Sequence, residues 1–133
     1  MTTYVEARDA IVSHIDANFS GIPVFYENTL EVDLNTVEDR FIRVEVEFSG
    51  ASQASMGDNA LDRTYGFITY RVFTKQGKGT RATLEVMDTL RDVAKTMTTD
   101  KVQCESVRPG KVESKSGWEC RDLLVPFWFD RLR

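Results

Sequence analysis

The stretch from residue 63 to residue 97 constrains the fold of this chain more than any other. It opens with RTYGFITYRVFT, residues 63–74, whose aromatic and β-branched side chains are typical of a strand. The basic, glycine-containing turn KQGKGTR follows at residues 75–81, and residues 84–97 then have the apolar stripe of an amphipathic helix. A strand that leads directly into such a helix predicts a sheet with a helix packed against it.

Charge is segregated around this stretch. Residues 63–84 contain no acid and five bases, namely Arg63, Arg71, Lys75, Lys78 and Arg81. Residues 27–39 contain no base and five acids, namely Glu27, Glu31, Asp33, Glu38 and Asp39. Because opposite charges favour mutual docking of surfaces, this separation predicts a protein that binds copies of itself or other proteins.

Length and composition predict one domain over residues 1–133. A chain of 133 residues buries roughly two-thirds of its unfolded surface, which suffices for one core. The net charge of −4 disfavours general binding to nucleic acid or to an anionic membrane, since both require a basic surface. The apolar run at residues 123–129 is too short to span a bilayer, and the first residues show no secretory signal pattern.

The other segments predict an α+β fold with a mostly antiparallel sheet, two helices packed on it, and the order α-β-β-β-α-β-β. The first helix is expected to end between residues 18 and 21, and its apolar stripe is Tyr4, Ala7, Ile11 and Ile15. In the second helix the stripe is Val86, Leu90, Val93 and Met97.

The strands differ in their expected position in the sheet. Residues 22–26 predict an edge strand, because Pro23 cannot donate a hydrogen bond. Residues 41–48 alternate between apolar and charged positions and predict a half-buried antiparallel strand. Residues 102–107 predict a further strand, and Arg-Pro-Gly at residues 108–110 predicts a turn. Residues 121–132 are apolar on both faces and predict a strand covered on both sides, with a bulge or a free edge at Pro126.

Residues 49–64 interrupt this pattern with small and polar side chains. They offer little apolar area to offset the entropy of ordering. We therefore expect a long loop that is mobile in the isolated subunit and becomes ordered on assembly.

Few residues suggest chemistry. Gly77-Lys-Gly-Thr-Arg-Ala82 fits the glycine pattern of dinucleotide-binding turns, but the antiparallel pattern of the neighbouring strands favours an ordinary strand-to-helix turn. His14 is the only histidine and has no evident nucleophile partner, and Cys104 and Cys120 are expected to be free thiols. The acidic residues lack calcium-loop spacing. The residues therefore predict no enzyme, no cofactor and no metal site.

Several motifs, taken in order, resemble the tail terminator family of long-tailed bacteriophages. They are PVFYEN at residues 23–28, QASMG at 53–57, YGF at 65–67, VFTKQGKGTR at 72–81, and GW at 117–118 followed by VPFWFD at 125–130. One departure is Thr74-Lys-Gln76, where the family has a proline after the Val-Phe pair. The motifs cover most of the chain, and the turn VFTKQGKGTR is the most specific of them.

The resemblance implies an α+β subunit and a homo-hexameric ring that caps the finished tail tube. The implied partners are further copies of the chain, the tail tube protein and a head–tail connector protein, in a virion tail assembled in the host cytoplasm. A ring joins two different patches of neighbouring subunits. The candidate interface residues are Arg63, Lys75, Lys78 and Arg81 on the basic side, Glu31, Asp33, Glu38 and Asp39 on the acidic side, and Gln53 and Met56 in the loop.

Two other functions remain open at this point. The chain could be another head–tail joint or tail tube component, since these also polymerise. It could also be a small α+β module that holds an anion or nucleotide at the turn of residues 77–82.

Overall fold

The structure is a computed structural model that describes residues 2–26, 40–53, 55–57, 60–75, 77, 81–97, 101–115 and 117–132. Within these residues, two helices, α1 (Tyr4–Asn18) and α2 (Arg81–Lys95), accompany a six-stranded sheet. The strands are β1 (Val24–Tyr26), β2 (Arg40–Gln53), β3 (Leu61–Lys75), β4 (Gln103–Cys104), β5 (Arg108–Lys115) and β6 (Trp118–Leu132). The predicted α+β class and order of elements are confirmed.

The sheet has the order β1-β2-β3-β6-β4, and β5 also pairs with β6. Of the described strand pairs, only β1 and β2 are parallel, while β3 is antiparallel to both of its neighbours, β2 and β6. The glycine turn after β3 therefore does not lie in the parallel β-α-β unit that a dinucleotide site requires.

The two faces of the sheet carry separate clusters, because successive side chains of a strand point to opposite faces. The helix side holds the main core, in which Ile42, Val44 and Tyr70 meet apolar residues of both helices. The other side holds a smaller aromatic cluster in which Phe41 stacks on Phe73 at 4.5 Å between ring centroids and meets Trp118 edge-on at 5.2 Å.

Helix α1 begins with a capping box that satisfies free backbone groups of its first turn. The Glu6 amide donates to the Thr3 hydroxyl at 3.1 Å, and the Thr3 amide donates to the Glu6 carboxylate at 3.3 Å. Ala7, Ile11 and Ile15 of the predicted stripe are buried. Tyr4, the fourth member, is 48% exposed, because it lies in the first turn beyond the end of the core.

Helix α2 starts at Arg81, three residues before the predicted start. Val86, Leu90, Val93 and Met97 of the predicted stripe are buried, but α2 ends at Lys95, so Met97 lies two residues beyond the helix. The earlier start is consistent with the buried hydrogen bond of 2.8 Å between the Thr83 and Thr74 hydroxyls, which ties the first turn to the end of β3.

Strand β6 pairs with β3 along its whole length, and its apolar residues on the helix side are buried, as predicted. On the other side Leu124 and Trp128 are only half-buried, so the predicted cover is complete on one face alone. On its other edge β5 pairs up to Leu124 and β4 resumes at Phe127. Pro126 lies between them, and its carbonyl accepts from the Glu105 amide at 2.8 Å on that same edge. Since N–H and C=O of one strand residue point to the same side, the missing donor of Pro126 falls at this break and costs no hydrogen bond to β3.

The predicted strand of residues 102–107 is reduced to β4, and two predicted breaks in the sheet were wrong. The expected loop of residues 49–64 belongs in large part to strands, because β2 continues to Gln53 and β3 begins at Leu61, with a bulge between Phe48 and Gly50. The expected turn at residues 108–110 lies within β5, where the pairing shifts between Pro109 and Val112. In both places pairing with a neighbouring strand outweighs the low strand propensity of small residues and of proline and glycine.

Candidate assembly surface

The basic turn after β3 presents two of the predicted interface residues to solvent. Lys75 is the exposed last residue of β3, and its ammonium lies 5.9 Å from the ring centroid of Trp118. Arg81 opens α2 with a side chain that is 92% exposed, and its Nε lies 3.0 Å from a carboxylate oxygen of Glu85. Such an i,i+4 pair contributes only a few tenths of a kcal/mol, roughly 0.3–0.5. Arg81 is therefore sterically accessible to a partner. Lys78 lies outside the described residues.

Arg63, another of the predicted basic interface residues, makes its described contacts within its own chain. Its guanidinium donates two hydrogen bonds to Asp130, from Nε at 2.8 Å and from Nη2 at 3.0 Å. It also lies over the Trp128 ring, 3.8 Å from the centroid. The Arg63 hydrogen bond holds the pKa of Asp130 below its usual range, and the same hydrogen bond raises the pKa of Arg63. This bidentate, stacked geometry gives Arg63 a role within the subunit, on the sheet face opposite the helices.

The tip of the β2–β3 hairpin carries the two loop candidates. Gln53 donates from its side-chain amide to the Ser55 carbonyl at 2.8 Å. Ser55 closes the tip, because its amide donates to the Leu61 carbonyl and its hydroxyl accepts from the Leu61 amide at 2.8 Å. Met56 projects from this tip and is 91% exposed. A large apolar side chain held out by a closed turn is a plausible contact point for another molecule.

The four predicted acidic partners, Glu31, Asp33, Glu38 and Asp39, lie outside the described residues. The pairing of the acidic segment with the basic segment of a neighbouring chain stays a prediction.

A cluster of exposed apolar residues escaped the sequence analysis. Tyr4 packs edge-on against Phe48 at 4.7 Å, and Phe48 in turn reaches Phe127 at 5.9 Å. Tyr4, Phe48 and the neighbouring Val5 are 48%, 38% and 68% exposed. The periodic patterns placed Tyr4 and Phe48 correctly on the apolar sides of their elements. They contained no signal that the core ends before these positions, since that depends on where α1 crosses the sheet.

His14 and the two cysteines, the residues considered for chemistry, make contacts within the fold or are wholly or partly buried. His14 joins the helices through Nε2, which lies 3.1 Å from the Val93 carbonyl and 3.0 Å from the Thr96 hydroxyl. Both thiols are free, and burial raises the pKa of Cys104 to about 11. Burial, together with Asp122, raises the pKa of Cys120 to about 12. These thiols are protonated at neutral pH and are therefore poor nucleophiles.

Among the described residues, no group of three histidine, cysteine, aspartate or glutamate side chains is placed to hold a metal ion. No helix in that part of the chain is long and apolar enough to cross a membrane.

Comparisons with known proteins give the fold alone. No family model matches this chain, and no curated protein does. A solved structure whose name states no function superposes with a TM-score of 0.63, at 15% identity, over 95% of this chain and 96% of that one. The likeness spans nearly the whole of both chains, so the overall fold also occurs in another protein.

Proposed function

We propose that this protein is the tail terminator of a long-tailed bacteriophage. It is a structural virion protein without a catalytic role that caps the completed tail tube as a homo-oligomeric ring. The ring then offers the surface on which the head–tail connector docks. The observation that carries the proposal is the set of family-like motifs, which follow one another in the expected order along a chain with the expected α+β fold.

Two motif glycines occupy positions that the fold restricts. Gly66 of the YGF motif lies against the Glu47 carbonyl and the Phe127 ring, where a Cβ has no room. Gly117 of the GW motif has φ of +83°, which favours glycine, and Trp118 beside it is buried. These motif residues therefore have a structural reason to be what they are, which supports the resemblance as one of structure.

The exposed side chains support an assembly role. The side chains of Lys75, Arg81 and Met56 are exposed. By contrast, Arg63 is paired with Asp130 in its own chain, and the two cysteines are buried or partly buried. Placing opposite charges on two different patches suits the heterologous interface of a ring, in which charge steers registration more than it adds affinity.

Charge reversal tests the proposal. Combining Lys78→Glu with Arg81→Glu should leave the thermal midpoint nearly unchanged, because an exposed charge pair such as Arg81 with Glu85 contributes under about 1 kcal/mol. In a phage complementation assay the double variant should give tails that fail to terminate or fail to join heads. Arg91→Glu, an exposed reversal farther along α2, is the control and should complement normally.

A compensating exchange sharpens the test. Adding Glu38→Lys and Asp39→Lys to the double variant should restore part of the infectivity if the acidic and basic segments meet between subunits. Normal titre and normal tails from the charge-reversed protein would refute the role of the basic turn.

Electron microscopy of labelled virions tests the location. A ring at the head-proximal end of the tube supports the proposal, whereas label along the tube or within the head would reassign the protein to another joint or tube component.

A further inference from the structure

The sheet has two open edges among the described residues, at its opposite ends. β1 pairs with β2 only at residues 42–44, and no described strand pairs with the outer side of residues 47–52, the β2 edge. β5 pairs with β6 on one side and with no described strand on the other, which leaves the β5 edge, residues 112–115. Unpaired backbone groups of this kind are templates for another strand.

The two edges differ in the features that discourage such pairing. Residues 49–52 of the β2 edge read Ser-Gly-Ala-Ser, without charge or proline, and all are exposed. In β5, Pro109 and the bulge that follows it make the first half of the strand a poor template. Pairing is therefore confined to the stretch that starts at Val112.

Apolar side chains lie beside both edges on the same side of the sheet. Phe48, next to the β2 edge, contacts Phe127 and Phe129 of the helix-side core. Val112, on the β5 edge, is 57% exposed and lies opposite Arg121, which lies opposite Val72 of that core. Because directly opposed residues share a face, Val112 points to the same side as Phe48.

The charges of the two strands are complementary. Residues 47–52 of the β2 edge carry one acid, the exposed Glu47, and no base, whereas Glu45 just before them pairs with Arg43 and Arg71 of its own chain. β5 has Arg108, Lys111 and Lys115 against the single acid Glu113. Like edges would repel each other, whereas unlike edges attract.

Topology sets the strand direction of such a contact. The pairs β2–β3, β3–β6 and β6–β5 are all antiparallel, so β5 runs opposite to β2 within a subunit. Val112 lies level with Ile42, through Arg121 and Val72, and the β2 edge lies farther along the strands. A second copy displaced in the plane of the sheet, both sideways and along the strands, would therefore bring its β5 antiparallel to the β2 edge of the first, with both helix sides facing the same way.

We propose that neighbouring copies of this chain join edge to edge, with β5 of one copy added as a strand to the β2 edge of the next. The contact is heterologous, so it repeats around a ring and carries the sheet across each subunit boundary. This inference rests on the proposed ring, for which it names the contact.

Cross-linking tests the inference on the full chain. Ala51→Cys on the β2 edge combined with Val112→Cys on the β5 edge should give, on mild oxidation of assembled protein, a ladder of covalent multimers beyond the dimer. Each single variant should give dimers at most, because a heterologous contact needs both new thiols. A control pair, Ala51→Cys with Asp88→Cys on the exposed side of α2, should give no ladder. All of these positions are exposed, so an unchanged thermal midpoint verifies the fold of each variant.

The outcomes separate the two proposals. A ring seen by electron microscopy, together with no ladder above that of the control pair, overturns the edge contact and leaves the tail-terminator function intact. A ladder from concentrated protein, together with the absence of any ring on tails, supports the contact and refutes the function.

Discussion

The close contact at Gly66 makes a strong prediction about stability. A Cβ at this position would lie 2.6 Å from Cζ and 2.8 Å from Cε1 of Phe127, and closer still to the Glu47 carbonyl. Phe127 is only 1% exposed, so its ring has little space to retreat into, and Glu47 is held in the β2–β3 ladder. Gly66→Ala must therefore push β2 away or displace a core ring.

Overpacking of this kind costs roughly 1–3 kcal/mol, and a clash with backbone places Gly66→Ala at the upper end. For a domain of this size the unfolding entropy is about 2.1 cal/mol/K per residue, so a loss of about 3 kcal/mol lowers the thermal midpoint by about 10 °C. Urea unfolding followed by circular dichroism, with calorimetry for the midpoint, measures both quantities.

Gly50→Ala is the matched control, because Gly50 lies in the same hairpin and has no atom within 4 Å of the added Cβ. It should be neutral or slightly stabilising, since alanine restricts the unfolded chain. If Gly66→Ala proved as stable as Gly50→Ala, the close approach of β2, β3 and β6 described above would be wrong.

Three further outcomes are expected. Leu90→Ala should lower the free energy of unfolding by about 2–5 kcal/mol in chemical denaturation, because it leaves a cavity in the core. Leu84→Ala, at a half-exposed position of the same helix, should cost far less, and equal losses would contradict the orientation of α2. The lowered pKa of Asp130 beside Arg63 should stabilise the fold above the unfolded pKa of about 4, and this contribution should be lost as the pH falls through the folded pKa. Asp130→Asn should therefore make the free energy of unfolding depend less on pH in the acid range. An unchanged pH dependence would contradict the pair. Limited proteolysis should cut beside the exposed Met56 in the free subunit and much less in assembled tails; equal cutting in both would argue that the hairpin tip is not a contact.

The sequence alone determined the elements whose periodicity is long and whose interior is apolar. The stripe from Val86 to Val93 and the helix-side residues of β6 have a repeating pattern that specified their burial directly, because it extends over several turns or along a whole strand. The break between β5 and β4 at Pro126 also agrees with local chemistry, since a residue without N–H cannot donate to a neighbouring strand.

Only the tertiary structure decided how far the strands extend and what the surface presents. Residues 49–53 and 108–110 have weak local preferences, and they are strands because a neighbouring strand supplies their hydrogen bonds. The partner of Arg63 lies 67 positions away at Asp130, and the exposed Tyr4 and Phe48 meet because the first turn of α1 packs against β2. Contacts between residues distant in sequence depend on how the elements pack, so no local pattern could reveal the open strand edges and the exposed side chains of this chain.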